Sequence, residues 1–391
     1  MRINLVGNIL NLAFTFGRLL HEKGYPVKVF INKKTTTINK EYQPQWELPE
    51  LKQLPEWVEV VDVRLSTLSY RKGAKEASFI KKLGDCDIIQ AFGESAVIWA
   101  KQTKKPYVFL SYGGDLDILP FNRSGPKNFI LAHLLRGALK QAAVTLYSMP
   151  RQKKSVTELN LTNSRFFPYG VPIDVDRYRP FSPDQKRSLR ARYDADFVFF
   201  HPARQDWTGQ DWTKRDTNDK GNDKLFRAFA RFIKSSQKRA ILIVVEKGID
   251  IEKSKALVNQ LGIAGYVQWI KPVDKRAMVE ILNTVDLCFD QFGYGFYGFV
   301  ALEALSVGIP TFLHLDGPAA LDQQAPPIVN VFSEDEIYQK ITELTADRGK
   351  LLDLGKSSRE WVLKYHQSDK VIERYLDLYK EVLNTRSKAA G

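Results

Sequence analysis

Short apolar runs alternate with longer amphipathic stretches along almost the whole chain, in two series. The first series of strand-like runs is Ile3–Val6, Val27–Ile31, Val58–Val63, Ile88–Ala91, Tyr107–Leu110 and Val144–Tyr147. Helical patterns such as Leu10–Lys23 and Lys127–Ala142 lie between its members. A second series begins after Pro180: Phe197–His201, Ala240–Val245, Val267–Trp269, Leu287–Phe289, Thr311–Leu313 and Val329–Val331. Helical patterns Leu225–Ser235, Ile251–Leu261, Arg276–Asn283 and Val300–Ser306 separate these. Such alternation predicts parallel sheets with helices on their faces, an α/β architecture. Two Rossmann-like halves in tandem is the economical reading. The join is expected near Pro168-Tyr-Gly-Val-Pro-Ile-Asp-Val-Asp-Arg-Tyr-Arg-Pro180, where three prolines and a glycine rule out a regular helix. A long helical tail, Lys350–Asn384, is expected to close the chain.

A length of 391 residues suits two ordinary domains, and 44% apolar residues suffice for their cores. No run approaches the roughly 18–20 apolar residues of a membrane span. Gly7, Asn8 and Asn11 interrupt the apolar N-terminus, and no small-residue cleavage site follows, so a first strand and helix of a cytoplasmic protein are expected there. Cys86 and Cys288 lie far apart in apolar runs and read as buried free thiols. The net charge of +13 favours polyanions. It is scattered, with clusters at Lys101/Lys104/Lys105, Arg151/Lys153/Lys154 and Lys186/Arg187/Arg190/Arg192. A solvated basic surface explains much of it. No zinc-finger or RNA-binding motif accompanies the charge, so no nucleic-acid partner is expected. Lys127–Ala142 carries Phe129, Ile130, Leu134, Leu135 and Leu139 beside Lys127, Arg136 and Lys140. At this spacing a core face is the commoner case. A basic amphipathic helix can also lie on an anionic membrane, so peripheral contact with a membrane's inner face is a second expectation.

The most informative segment for chemistry is Asp290-Gln-Phe-Gly-Tyr-Gly-Phe-Tyr-Gly-Phe-Val-Ala-Leu-Glu-Ala-Leu-Ser-Val-Gly-Ile-Pro310. It reads as a buried strand end, a glycine-rich turn and a short apolar helix with one carboxylate, Glu303. A helix N-terminus offers backbone N–H groups and the positive end of a dipole, a place to hold phosphate. A carboxylate one turn further in can hold a sugar hydroxyl. Phosphate beside sugar hydroxyl points to a nucleotide or nucleotide sugar.

Further candidates stand at strand ends. His201-Pro-Ala-Arg204 closes the first strand of the second half, and Lys220-Gly221 follows a polar loop. Arg204 and Lys220 converging on one ligand would suit a diphosphate. The loop between them repeats itself, Gln205-Asp-Trp-Thr208 and Gln210-Asp-Trp-Thr213. Its Trp207 and Trp212 could stack on sugars or bases from a mobile lid, or belong to an insertion without ligand contact. Gly7-Asn8 follows the first strand, where glycine permits close approach of substrate or merely turns the chain. In Ser111-Tyr-Gly-Gly-Asp-Leu-Asp117, Asp115 either lines a cleft or caps the next helix. The five histidines show no metal-ligand spacing, and no Ser/His/Asp triad or G-x-S-x-G elbow is present.

With these residues in hand, the chain resembles the family 4 glycosyltransferases, retaining enzymes of the GT-B fold. The similarity covers nearly the whole length and is strongest in the second half. Pro168–Pro180 is similar to the family's inter-domain segment, and Arg204 and Lys220 fall where the family keeps its diphosphate-binding pair. Gly295–Glu303 aligns with a signature of two glutamates separated by seven residues. Arg359-Glu-Trp-Val-Leu-Lys-Tyr-His366 resembles the family's closing helix. The resemblance implies two Rossmann-like domains facing across a cleft, with a C-terminal helix crossing back to the first. The implied bounds are 1–170 with a tail of about 370–391 for the acceptor domain, and 171–370 for the donor domain.

The donor implied is a UDP or GDP sugar. Donor contacts fall to Gly295, Phe296, Tyr297, Gly298, Phe299, Val300 and Glu303, with Ile270 and Lys271, and Glu303 holds the ribose hydroxyls. Arg204, Lys220, Asp290 and Asp115 are the candidates for catalysis. Gly7, Asn8, Tyr112 and Gly113 would meet a glycan, lipid-linked or small-molecule acceptor. No tightly bound cofactor and no metal are implied. The chain departs from the pattern at three places. Gly295 stands where the first glutamate is expected, with Asp290 the nearest carboxylate in sequence. Tyr112 replaces a histidine that many members carry, and the 204–220 loop is longer than usual. Those departures leave two rival functions: a GT-B protein that binds nucleotide or glycan without turnover, and a sugar-nucleotide epimerase.

Overall fold

The computed structural model describes all residues except 35–39, 64–72, 209–218, 294, 318–324 and 391. The chain divides into two compact units, Met1–Pro172 together with Ser368–Gly391, and Ile173–Gln367. Each is built on one parallel sheet.

The first sheet has seven strands: β1 (Ile3–Val6), β2 (Val27–Asn32), β3 (Val58–Val61), β4 (Ile88–Phe92), β5 (Tyr107–Leu110), β6 (Val144–Tyr147) and β7 (Ser164–Phe166). Their order is β3-β2-β1-β4-β5-β6-β7. The second has six: β8 (Phe197–His201), β9 (Ala240–Val245), β10 (Val267–Ile270), β11 (Leu287–Phe289), β12 (Thr311–Leu313) and β13 (Val329–Asn330). Their order is β10-β9-β8-β11-β12-β13. Central strands such as β1 and β8 are buried at every position, as a sheet covered by helices on both faces requires. Phenylalanines knit the second core. The rings of Phe199 and Phe289 lie 5.6 Å apart, and those of Phe289 and Phe312 4.7 Å.

Three local features differ from the sequence expectation. β7 is an unforeseen edge strand, because three residues with two polar ones carry no apolar run. The first helix spans Leu12–Glu22 rather than starting at Leu10, since Leu10 and Asn11 take left-handed backbone angles (φ 52° and 59°). The closing tail is two helices, Arg348–Tyr365 and Ser368–Ala390. Between them the Ile173 N–H donates to the His366 carbonyl (2.7 Å), and Ile173 bridges Gln367 in parallel. The last helix packs within the first unit. There the Tyr379 hydroxyl donates to Gln90 Oε1 (2.8 Å), satisfying an amide buried in β4. Cys86 and Cys288 are buried free thiols, as expected.

The helix Pro126–Gln141 turns Leu135, Ala138 and Leu139 into the core and leaves Phe129 and Ile130 exposed near its start. None of the described helices is long and apolar enough to cross a membrane.

Candidate active site

In each sheet the strand order reverses beside the first strand. Ligands of doubly wound sheets bind outside the strand C-termini at such a switch point. In the second unit the switch lies between β8 and β11, which are adjacent in the sheet. Arg204 follows β8, and the 290–298 loop follows β11.

Hydrogen bonds bring these segments together. The Lys220 N–H donates to the Asp206 carbonyl (2.7 Å), and the Phe292 N–H to the Lys220 carbonyl (2.9 Å). The Arg204 guanidinium pairs with Asp206 at 3.2 Å and is half exposed. The Lys220 ammonium donates to Gln291 Oε1, and Gln291 Nε2 donates to the Phe296 carbonyl (2.6 Å). Gln291 therefore ties the lysine to the glycine-rich loop. Sequence reasoning missed it, because an amide at a strand end carries no signal of its own.

A second missed pair holds this corner from beneath. Buried His201 meets the Phe289 carbonyl through Nδ1 (2.8 Å) and the Asn222 amide through Nε2 (2.7 Å). Asn222 in turn donates to the Arg204 carbonyl and accepts from the Asp206 N–H. The ring can satisfy both partners only when neutral, with its proton on Nδ1. Burial pushes its pKa down to about 4 from 6.5. Between those values the unfolded chain takes a proton that the native ring refuses. Stability is therefore expected to fall as pH drops from about 6.5 to about 4, by roughly 3 kcal/mol. Urea titrations at pH 7 and 4.5 check this. Between those two pH values the drop should be smaller by about 2 kcal/mol in His201→Phe than in the wild type.

The loop leads into the helix Phe299–Val307, whose residues Ala301–Val307 are all buried. Gly298, Phe299 and Val300, at its N-terminal end, are partly exposed. The Phe296 and Tyr297 rings stack at 4.0 Å, and Tyr297 packs on Trp361 and His366 of the closing segment. Arg359 donates to the carbonyls of Tyr178 and Ser306, clamping the proline-rich join to the C-terminal end of the Phe299–Val307 helix. Glu303 is buried and ion-paired with Lys275, the first residue of the helix Lys275–Thr284. Lys275 was also missed, since nothing in its neighbourhood marks it in sequence.

Asp290 lies buried beneath the loop and accepts the Gly298 N–H at 2.6 Å. Burial pushes its pKa up, against the Gly298 hydrogen bond and the Lys220 charge. It is thus a brace for the helix start. The carboxylate against Gly295 is that of Asp316. Ile270 and Lys271 stand at the end of β10, the edge strand two places from β8, with Lys271 exposed and paired to Glu246.

Trp207 is not a free stacking platform. Its indole N–H donates to Ser254 Oγ (2.9 Å), and its backbone N–H to Asp250 (2.9 Å). Trp212 and the second copy of the repeat lie outside the described residues.

In the first unit a cavity of about 770 Å³ opens at the β1/β4 switch point. Its lining includes Gly7, Asn8, Phe30, Gly93, Glu94 and Trp99. Asn8 spends its side chain internally, donating to Asn11 and to the Tyr42 carbonyl and accepting the Phe14 N–H. Tyr112 and Gly113 stand one strand further on, after β5. Asp115 organises that turn: Ser111 Oγ (2.7 Å), Tyr112 N–H (3.1 Å) and Gly113 N–H (3.2 Å) all donate to it. Burial pushes its carboxyl up to about 7, with the Ser111 and Tyr112 bonds pulling the other way.

The fold and these placements can be set beside known proteins. The family model described as "Glycosyl transferases group 1" matches residues 213–361, most of the second unit. A curated relative is the GDP-mannose-dependent alpha-(1-6)-phosphatidylinositol monomannoside mannosyltransferase of Mycobacterium tuberculosis. It is 26% identical over 232 residues, 55% of this chain and 55% of the relative. The chain thus spans about half the length of the curated relatives it matches. Among solved structures, sucrose-phosphate synthase from Thermosynechococcus elongatus superposes with a TM-score of 0.70 at 14% identity, covering 98% of this chain and 100% of that one. HepE from Anabaena in complex with UDP-glucose gives a TM-score of 0.70 at 14% identity, over 97% and 100%. The fold is the GT-B fold, two Rossmann-like units each built on a parallel sheet.

Proposed function

We propose that the protein is a glycosyltransferase that moves a sugar from a nucleoside diphosphate sugar to an acceptor, with retention at the anomeric carbon. One observation carries this reading: hydrogen bonds join the segment of Arg204 and Asp206, Lys220 and the loop that leads into the helix Phe299–Val307 at the β8/β11 switch point, with Glu303 one turn into that helix. The family match over residues 213–361 supports it. So does the relative named for GDP-mannose, and HepE, solved with UDP-glucose.

The chemistry follows from charge. As the bond from C1 to the leaving phosphate oxygen breaks, positive charge grows on the sugar and negative charge on the diphosphate. Arg204 offers a planar fork to the phosphate oxygens, Lys220 a point charge and the helix start its dipole. Groups already in place need no reorganisation as that charge develops. Glu303, anchored by Lys275, would take the ribose hydroxyls. The acceptor would enter the cavity beside Gly7 and Glu94, and a glycan or lipid-linked sugar suits its mixed apolar and polar lining.

A thermal-shift screen with UDP, GDP, ADP and TDP sugars tests the donor. A ligand at a hundred times its Kd stabilises by about 2.7 kcal/mol, which raises Tm by several degrees. No shift from any of the four bases would sink the reading. Release of nucleoside diphosphate, followed by NMR of the product's anomeric configuration, then tests transfer and retention. Nucleotide binding without turnover is the second reading, and it draws on the absence of a side chain at Gly295.

A further inference from the structure

The turn at Gly295 has no side chain, yet the space a side chain would use is filled. Gly295 sits at φ +75°, in the left-handed region. A Cβ built there would lie 2.1 Å from Asp316 Oδ2 and 2.5 Å from its carboxyl carbon. The Asp316 N–H donates to the Gly295 carbonyl (3.0 Å), so backbone as well as side chain tie the two residues together. Asp316 lies three residues past the end of β12, the strand next to β11, and so reaches the glycine-rich loop from the neighbouring position in the sheet.

Its orientation is also set. His314 Nε2 lies 2.7 Å from Asp316 Oδ1. The His314 ring packs on Phe332 at 4.7 Å, and the His314 backbone N–H donates to the Gln291 carbonyl (2.9 Å). Gln291 is the residue whose side chain holds Lys220. One chain of contacts therefore runs from the cation at the phosphate end of the site to this carboxylate. Asp290 and Glu303 are buried, but the Asp316 side chain is 55% exposed. Of these three carboxylates by the loop, it is the most exposed.

We infer that Asp316 is a catalytic carboxylate of the donor site, oriented by His314, that accepts hydrogen bonds from hydroxyls of the transferred sugar. The inference rests on the glycosyltransferase reading above. A carboxylate repels a diphosphate and accepts from hydroxyls, so its partner is the sugar end of the donor and not the phosphate end. Placed there, it also opposes the positive charge that grows on the sugar as the phosphate leaves. His314 acts through Asp316 and is a positioning residue.

The test separates the two ends of the donor. UDP-glucose and GDP-mannose are screened with wild type, and whichever binds is used thereafter, with its free nucleoside diphosphate as the control. Asp316→Asn and Asp316→Ala are expected to lower kcat for nucleotide release by about 10²-fold. Affinity for the free nucleoside diphosphate should stay within about twofold. His314→Ala should lose less, about tenfold, and His314→Gln should recover part of that. Equal loss of nucleotide and nucleotide-sugar binding in both Asp316 variants would mark a scaffold for the loop and overturn the inference. Near-normal kcat in both would overturn it as well. If that happens while Arg204→Ala loses turnover, the glycosyltransferase reading stands without it. If wild type binds neither donor, the reading falls and takes this inference with it. Asp316→Asn keeps the size and one acceptor oxygen, so it answers the question should the alanine variant fail to fold.

Discussion

Arg204→Ala is expected to lower turnover by about 10²–10³-fold, the usual effect of removing one pre-organised donor from a developing negative charge. The residue is well placed for such a split between activity and stability. Its guanidinium is half exposed and touches Asp206, while its backbone, not its side chain, joins the His201–Asn222 network. Removing the side chain leaves Asp206 still accepting from the Ile249 N–H at 2.8 Å. The fold should therefore survive, with a change in stability of about 1 kcal/mol, as for other ion pairs with one exposed partner. Arg204→Lys keeps the charge but loses the fork, and should restore only part of the rate. Nucleoside diphosphate release in steady state, with thermal melts alongside, checks both halves. Near-normal turnover in Arg204→Ala would count heavily against the proposed function.

Gly7→Ala is expected to act on the fold instead. The residue ends β1 at φ +84°, and an added Cβ would meet the Phe92 carbonyl oxygen at 2.2 Å and Ala96 Cβ at 2.8 Å. Neither neighbour can step aside cheaply. Phe92 ends β4, the strand paired with β1, and Ala96 is in the helix Glu94–Gln102 that follows it. Left-handed backbone costs a non-glycine residue roughly 1–2 kcal/mol, and overpacking adds typically 1–3 kcal/mol. A loss of about 2–5 kcal/mol is therefore expected in a urea melt. A variant that folds normally but loses acceptor affinity would instead favour the reading in which this glycine admits substrate.

Much of the architecture was legible because it depends on local pattern. β1, β5, β6, β8, β9, β11 and β12 fall on the expected runs, since a strand buried on both faces must be apolar throughout. β7 was not legible, because an edge strand buries little. The break at His366–Gln367 was invisible for another reason. The amphipathic pattern continues across it, and what divides the two helices is Ile173, almost two hundred positions earlier.

The site shows the same division. The turn after β11, the helix start behind it, the strand-end position of Arg204 and the helix-start position of Lys220 follow from glycine spacing and alternation. Asp290 is the carboxylate nearest to Gly295 along the chain, whereas the carboxylate against Gly295 in the fold is that of Asp316. Lys275, Gln291 and the His201–Asn222 pair depend equally on contacts between segments remote in sequence. The sequence by itself determined the two series of strands and helices and the glycine-rich turn, because periodicity and backbone freedom are properties of neighbouring residues. Which carboxylate faces that turn, and which side chains hold its cations, was decided only by strand order, since parallel pairing brings the ends of distant strands to one edge.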